Sequence, residues 1–353
     1  MTRRKAVFDM HVPDGFLNAP TSVATGAVAA AGVAVALRKA REELDERTAP
    51  LAGLTAAFVF AGQMINFPVG VGTSGHLMGG ALAAALVGPW TAVLVLSVVL
   101  MVQSLLFADG GLTALGTNIT LIGFTTVVAG WLVIKAALAV LPKRPASVVP
   151  AAALGAFVSV PVAAAVFVLL FAADGEASLP FGPLLGTMLG WHVLIGVGEA
   201  VITGLTVSAV VAVRPDLVYA ARGLRPVLQL KQADGTLIPA PSNTPATVPA
   251  SSRVSTRGLL IGGGCVAALI AGALSYLASG SPDGLERVAQ GEGFADTARD
   301  HIFGTFSLAD YGEFGGIPVG VAGLLGVVVT VAIGLVLFRL IRRRAAREEN
   351  FTA

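Results

Sequence analysis

Nine apolar runs separated by short polar segments constrain this 353-residue chain more than any other feature. They lie at about 20–37, 51–66, 76–87, 90–107, a fifth that ends near 141, 148–172, 184–213, 258–278 and 317–338. A bilayer core about 30 Å thick needs about 20 consecutive apolar residues per helix, and charge is excluded from such stretches. Only 12% of the residues are charged, against about 25% in a soluble domain, while 55% are hydrophobic. The pattern predicts an all-α polytopic membrane protein with about nine transmembrane helices, a seven-helix bundle followed by a two-helix C-terminal module.

Residues 214–256 are rich in Pro, Ser, Thr and Arg and hold no apolar run, so they read as a flexible linker. The expected division is therefore 10–213 for the bundle, 214–256 for a cytoplasmic linker, 257–345 for the second module and 346–353 for a cytoplasmic tail.

Lys and Arg set the orientation. They follow the first run (Arg38, Lys39, Arg41, Arg47), the fifth (Lys143, Arg144), the seventh (Arg214, Arg222, Arg225) and the ninth (Arg339, Arg342, Arg343, Arg344, Arg347). All share one side if the third run crosses the membrane, and that side is expected to be cytoplasmic. The opposite loops carry Asp109, Asp174, Glu176, Asp283 and Glu286. Residues 10–18 then face outward, which leaves Arg3, Arg4 and Lys5 on the wrong side. No h-region separates those bases from Met10, so residues 1–9 are read as a dubious extension and Met10 as the expected start.

The chain has four histidines, His11, His76, His192 and His301, and one cysteine, Cys265. A single cysteine rules out a disulfide framework, and Cys265 is expected to pack. His11 and His76 fall on the outer side. With Met10 as the first residue, a divalent cation can take the α-amine, the deprotonated amide nitrogen of His11 and the His11 imidazole as two fused chelate rings, and His76 can complete a planar nitrogen set. Such a set suits Ni(II) or Cu(II) and disfavours Mg and Ca, which prefer oxygen. Each deprotonation makes the site pH-dependent. His301 is expected to be a loop residue. Asn66, Gln103 and Asn118 are expected to be buried hydrogen-bonding groups.

At "MHVPDGF" and "GTSGHLMGG" the chain resembles the membrane-embedded substrate-capture component of nickel and cobalt energy-coupling-factor transporters, the NikM/CbiM type, over about residues 10–213. The resemblance implies Met10, His11 and His76 as ligands, with Thr73 and Ser74 beside them, and "GTSGH" is closer to the nickel branch. "HVLIGVGEAVITG" is also similar to the family pattern. It places His192 and Glu199 on one helix face, either as groups supporting the site or docking a partner, or as an inward pair that fixes packing. "SPDGLERVAQ" resembles the PDGLE domain, the two-helix accessory subunit of the same transporters, and makes Asp283 and Glu286 candidates for metal entry; a plain surface turn is the other reading. The family implies transported Ni(II) or Co(II) rather than a prosthetic group, separate ATPase subunits and a coupling transmembrane subunit as partners, and the plasma membrane of a prokaryote as location.

No G-x-x-x-x-G-K-[ST] loop occurs, so the chain has no Walker site of its own. A stand-alone secondary transporter would need carboxylates along a path through the membrane, and Glu199 is essentially alone there. An intramembrane metalloenzyme would need a ligand set with a general base, and no H-E-x-x-H is present. The net charge of +2 gives nucleic-acid binding no support.

Overall fold

In a computed structural model the described residues are 11–45, 48–224, 229–231, 237–239, 254–309 and 316–352. The expected ligand Met10 and most of the expected linker lie outside them. The chain is predominantly helical: α1 (Ala19–Glu43), α2 (Thr48–Gln63), a hairpin of β1 (Phe67–Gly70) and β2 (Thr73–Gly75), α3 (Gly80–Val87), α4 (Pro89–Leu106), α5 (Leu115–Asn118), α6 (Thr126–Val140), α7 (Val148–Asp174) and α8 (Phe181–Val213). A second hairpin, β3 (Gln229–Lys231) with β4 (Leu237–Pro239), precedes α9 (Thr256–Gly272), α10 (Gly284–Glu292) and α11 (Val319–Thr352).

Among the described residues six helices are long and apolar enough to cross a membrane: α1, α4, the continuous stretch Leu115–Val140, α7, α8 and α11. The stretch Leu115–Val140 joins α5 to α6 through a π-helical segment, Ile119–Thr125. The other three expected runs form shorter helices, α2 with 16 residues, α9 with 17 and α3 with 8.

The third run departs most from expectation. Eight residues rise only about 12 Å, yet the segment travels between opposite ends of the bundle. At one end His76 packs on His11. At the other Gly88 and the first turn of α4 meet the C-terminus of α1, where the Glu43 carboxylate accepts hydrogen bonds from the Trp90 and Thr91 amides. The distance is covered by irregular, non-helical backbone at 76–79, with Gly79 in the left-handed region, followed by α3. Every residue of α3 is buried, which is the condition under which non-helical backbone is tolerated at membrane depth.

That backbone finds its partners in side chains of the surrounding helices. Glu199 of α8 accepts from the Met78 and Gly79 amides at 2.6 and 2.7 Å, and Gln63 of α2 donates to the Met78 carbonyl at 3.2 Å. The intramembrane carboxylate thus acts as an N-terminal cap for α3, supplied from another helix.

The expected linker begins with packed structure. Arg214 makes a two-pronged ion pair with Asp216 and also donates to Thr256, tying the end of α8 to the start of α9. Leu217, Val218 and Ala221 are buried as a 3-10 turn, Tyr219–Leu224, packs against α3. In the C-terminal module α9 and α11 pack on α2. Their contact faces are small: Gly263 lies against Leu54, and Ala267 and Ala271 are buried. Cys265 falls on the other face of α9 and is exposed, not packed as expected.

Candidate metal centre

The N-terminal segment forms a plug over one end of the bundle. Asn118, at the end of α5, holds it in both directions: its Oδ1 accepts from the Val12 amide at 2.9 Å and its Nδ2 donates to the Val12 carbonyl at 3.0 Å. Asp14 accepts from the amides of Leu112 and Thr113 in the loop before α5. Gly110, with φ of +79°, lies so close beneath the plug that a Cβ there would sit 2.7 Å from the His11 Cβ. These contacts fix His11 between the loop and the bundle.

His11 and His76 are 2% and 5% exposed, with ring centroids 5.3 Å apart and planes tilted by 53°. That spacing lies within what two imidazoles adopt around one shared ion, whose metal–nitrogen bonds are about 2 Å. His11 Nδ1 lies 2.9 Å from Asp109 Oδ1, whereas His11 Nε2 is buried without a hydrogen-bond partner among the described residues. His76 Nδ1 lies 3.2 Å from the Leu77 carbonyl. Its Nε2 faces Asp283 Oδ2 at 3.8 Å.

Asp283 reaches this point from the C-terminal module. Its side chain caps α10 by accepting from the Glu286 amide at 2.8 Å. Ser74 clamps the preceding residues: its amide donates to the Pro282 carbonyl and its hydroxyl to the Ser281 carbonyl, both at 2.8 Å. Two further contacts close the seam. The Arg299 amide donates to the Asp14 carbonyl at 2.7 Å, and Phe294 packs edge-on to Phe16. The loop of the second module is therefore a roof on the site. Gly284 packs closely there: a Cβ would sit 2.7 Å from Ile195 Cδ1 and 3.2 Å from the His192 ring, so a side chain would push on both.

Beneath the roof is a cavity of about 50 Å³, lined by both histidines, His192, Asp283, Asn118 and apolar residues that include Met78 and Phe167. The space holds a few water-sized particles. Among the described residues no three His, Cys, Asp or Glu side chains converge as a ready cage, so a bound ion would need donors beyond these side chains.

Burial lowers the pKa of His11, but the Asp109 carboxylate beside it and Asp283 farther off outweigh that and leave it raised. Burial pushes the Asp283 carboxyl up to about 7, with Glu286 and Asp109 adding to the rise against the opposing Glu286 amide and His11.

The other expected residues divide. His192 lines the cavity, its Nδ1 2.8 Å from the Met188 carbonyl one turn back. Glu199 serves the 78–79 backbone, and Thr73 is buried beside β1 without lining the cavity. Glu286 turns away to accept from Gln290. His301 is in a loop, where its Nδ1 accepts from the Phe303 amide. Asn118 is the buried hydrogen-bonding group that was expected; Asp109, read only as a loop acid, is the residue whose role beside His11 the sequence left unread. Asp109 stands directly before Gly110 and Gly111, which was the available signal.

Fold and cavity together define a polytopic helical membrane protein with a small imidazole-bearing chamber near one end, roofed by a second module. Comparison with known proteins makes this specific. Residues 11–217 match the family model of the cobalt uptake substrate-specific transmembrane region, CbiM, and residues 257–343 match the PDGLE domain. The chain belongs to the CbiM family, with a PDGLE domain fused behind it.

A relative in Archaeoglobus fulgidus, which bears the provisional name of a fused nickel transport protein NikMN, is 35% identical over 217 residues, 59% of this chain and 68% of that protein. The fused nickel transport protein NikMN of Rhodobacter capsulatus is 43% identical over 109 residues, 31% of each chain. A crystal structure of a truncated transition-metal transporter superposes with a TM-score of 0.52 at 29% identity, over 57% of this chain and 98% of that one.

Proposed function

We propose that the protein captures a divalent transition-metal cation, Ni(II) in preference to Co(II), and passes it inward as the substrate-specific subunit of an ATP-driven energy-coupling-factor importer. The observation that carries this reading is the pairing of buried His11 and His76 across a cavity of ion size. Imidazole donors favour late first-row cations, and within that series Ni(II) binds nitrogen more tightly than Co(II). The fused nickel transport relatives point the same way.

In this reading Met10 supplies a free amine, His11 its amide nitrogen and imidazole, and His76 the fourth nitrogen. The ring that joins the His11 amide to its own imidazole has six members and closes through Nδ1. Nδ1 faces Asp109 in the structure, so capture turns the imidazole and gives up that contact. His192 and Asp283, which follows the Ser281-Pro282 stretch that Ser74 clamps, border the ion, and Asp283 offers it a first carboxylate on entry. ATP hydrolysis belongs to separate ATPase subunits that act through a coupling transmembrane subunit. The basic helix ends face the cytoplasm and the metal site faces outward from the plasma membrane of a prokaryote. Residues 10–213 form the capture domain and 257–345 its roof.

A secondary transporter would require carboxylates free to relay the ion, and Glu199 is committed to two backbone amides. Calorimetric nickel titration of His11→Ala and His76→Ala tests the assignment. High-affinity binding should vanish in each while the helical content stays unchanged; retention of wild-type affinity in either would remove that residue from the site.

A further inference from the structure

At the end of the bundle remote from His11 and His76 a second cleft, of about 490 Å³, opens between the C-terminal half of α6 and the 3-10 turn at Tyr219–Leu224. Lys135, Lys143 and Arg222 line it together with the rings of Trp131 and Tyr219, which lie 5.6 Å apart. Among the described residues no carboxylate lines the cleft.

Two of the cations are partly engaged. Lys143 donates to the Leu138 carbonyl at 2.6 Å. Arg222 lies over the Tyr219 ring, donates to the Glu43 carbonyl and comes within 3.9 Å of the exposed Asp45. Lys135 is exposed on α6, five residues before the helix ends at Val140. That places its backbone roughly 7.5 Å inside the end of the helix, a depth from which a lysine reaches the interface by extending its stem along apolar surface.

Lys135 and Lys143, with no carboxylate in the lining, form a phosphate-binding set beside Arg222, which is within 3.9 Å of Asp45, and basic pockets at the ends of membrane helices take lipid headgroups. The surroundings favour a lipid over a soluble anion. Val128, Leu132 and Lys135 share one face of α6 at i, i+4 and i+7, and the two apolar residues are 51% and 60% exposed. They form a stripe that runs from the cleft toward the membrane centre, where an acyl chain would lie. Trp131 and Tyr219 supply rings of the kind that settle at headgroup level.

We infer that this cleft binds the phosphate of an anionic phospholipid, with Lys135 and Lys143 as its donors, Arg222 as a nearby charge, and the acyl chains along Val128 and Leu132. The inference is independent of the metal reading.

The test is native mass spectrometry of the full-length protein released from phosphatidylcholine nanodiscs doped with phosphatidylglycerol. The wild type should retain one phosphatidylglycerol. Its apparent affinity should fall about fivefold in Lys135→Gln and about 25-fold in Lys135→Gln/Lys143→Gln, with thermal unfolding unchanged. The control Arg38→Gln/Lys39→Gln, which removes two charges at the same end of α1, should retain the lipid. Equal retention by the cleft variants and the wild type overturns the proposal, as does equal loss in the control. Displacement of the lipid by millimolar inorganic phosphate would assign the cleft to a soluble anion and overturn it as well.

Discussion

His11 holds its Nδ1 2.9 Å from Asp109 while its Nε2 has no hydrogen-bond partner among the described residues. In the proposed chelate, Asp109 therefore competes with the metal for His11 Nδ1. The same carboxylate raises the His11 pKa against the lowering effect of burial, so protons compete as well. In Asp109→Asn the His11 pKa should fall, and the pH midpoint for nickel binding should move to lower pH. Competition titrations from pH 5 to pH 8 measure that midpoint. A midpoint equal to that of the wild type would mean that Asp109 does not govern the protonation of His11.

The N-terminus gives a second, spectroscopic prediction. A protein that starts at Met10 can offer an amine, an amide nitrogen and two imidazoles in a plane. One that retains residues 1–9 turns the amine into an amide and loses that ligand. Nickel bound to the shorter form should be planar and diamagnetic, and the longer form should bind it far more weakly. Equal affinities, or a paramagnetic nickel centre in the shorter form, would show that the amine and amide are not ligands.

How much of this was legible from sequence depended on how far apart the partners lie. The apolar runs could be read directly because each helix encodes its own hydropathy, and all nine have counterparts among the helices. His11, His76 and Asp283 were legible as motif residues. The break in the third run was not: "LMGGALAAALVG" is apolar throughout, and its irregular first part depends on Glu199, 121 positions from Met78. Asp109 is 98 positions from His11 and Asn118 is 106 from Val12. A loop aspartate and a buried asparagine carry no local mark of such pairings, which only the packed bundle creates. The roof had the same difficulty, because Ser74 and Ser281 are 207 residues apart across the linker.

Glu199 should therefore behave as a structural cap whose loss reaches the site indirectly. Glu199→Ala strands the Met78 and Gly79 amides at membrane depth, at about 1–3 kcal/mol for each orphaned donor. Glu199→Gln keeps one carbonyl acceptor and should fall between. Thermal unfolding in detergent should rank wild type above Gln above Ala. Nickel affinity should follow the same order, because His76 precedes Met78 by two residues. An alanine variant as stable as the wild type would show that the two amides find other partners.

The roof should respond to pH and to metal in opposite senses. Asp283 titrates near 7 when docked and in the ordinary carboxylate range, about 4, when the loop is released. A carboxyl whose pKa is raised by docking favours the docked state while protonated, and that contribution is lost as pH climbs from about 4 to about 7. In metal-free protein the opening of residues 281–289 should rise between about pH 4 and about pH 7. Hydrogen exchange, corrected for intrinsic rates, measures it. Ser74→Ala removes one clamp of about 1 kcal/mol and should raise opening about fivefold throughout. Nickel replaces the protons, so saturation with it should flatten the pH profile. A profile that is flat without metal, or one that keeps its slope when saturated, would show that Asp283 does not link the roof to the site.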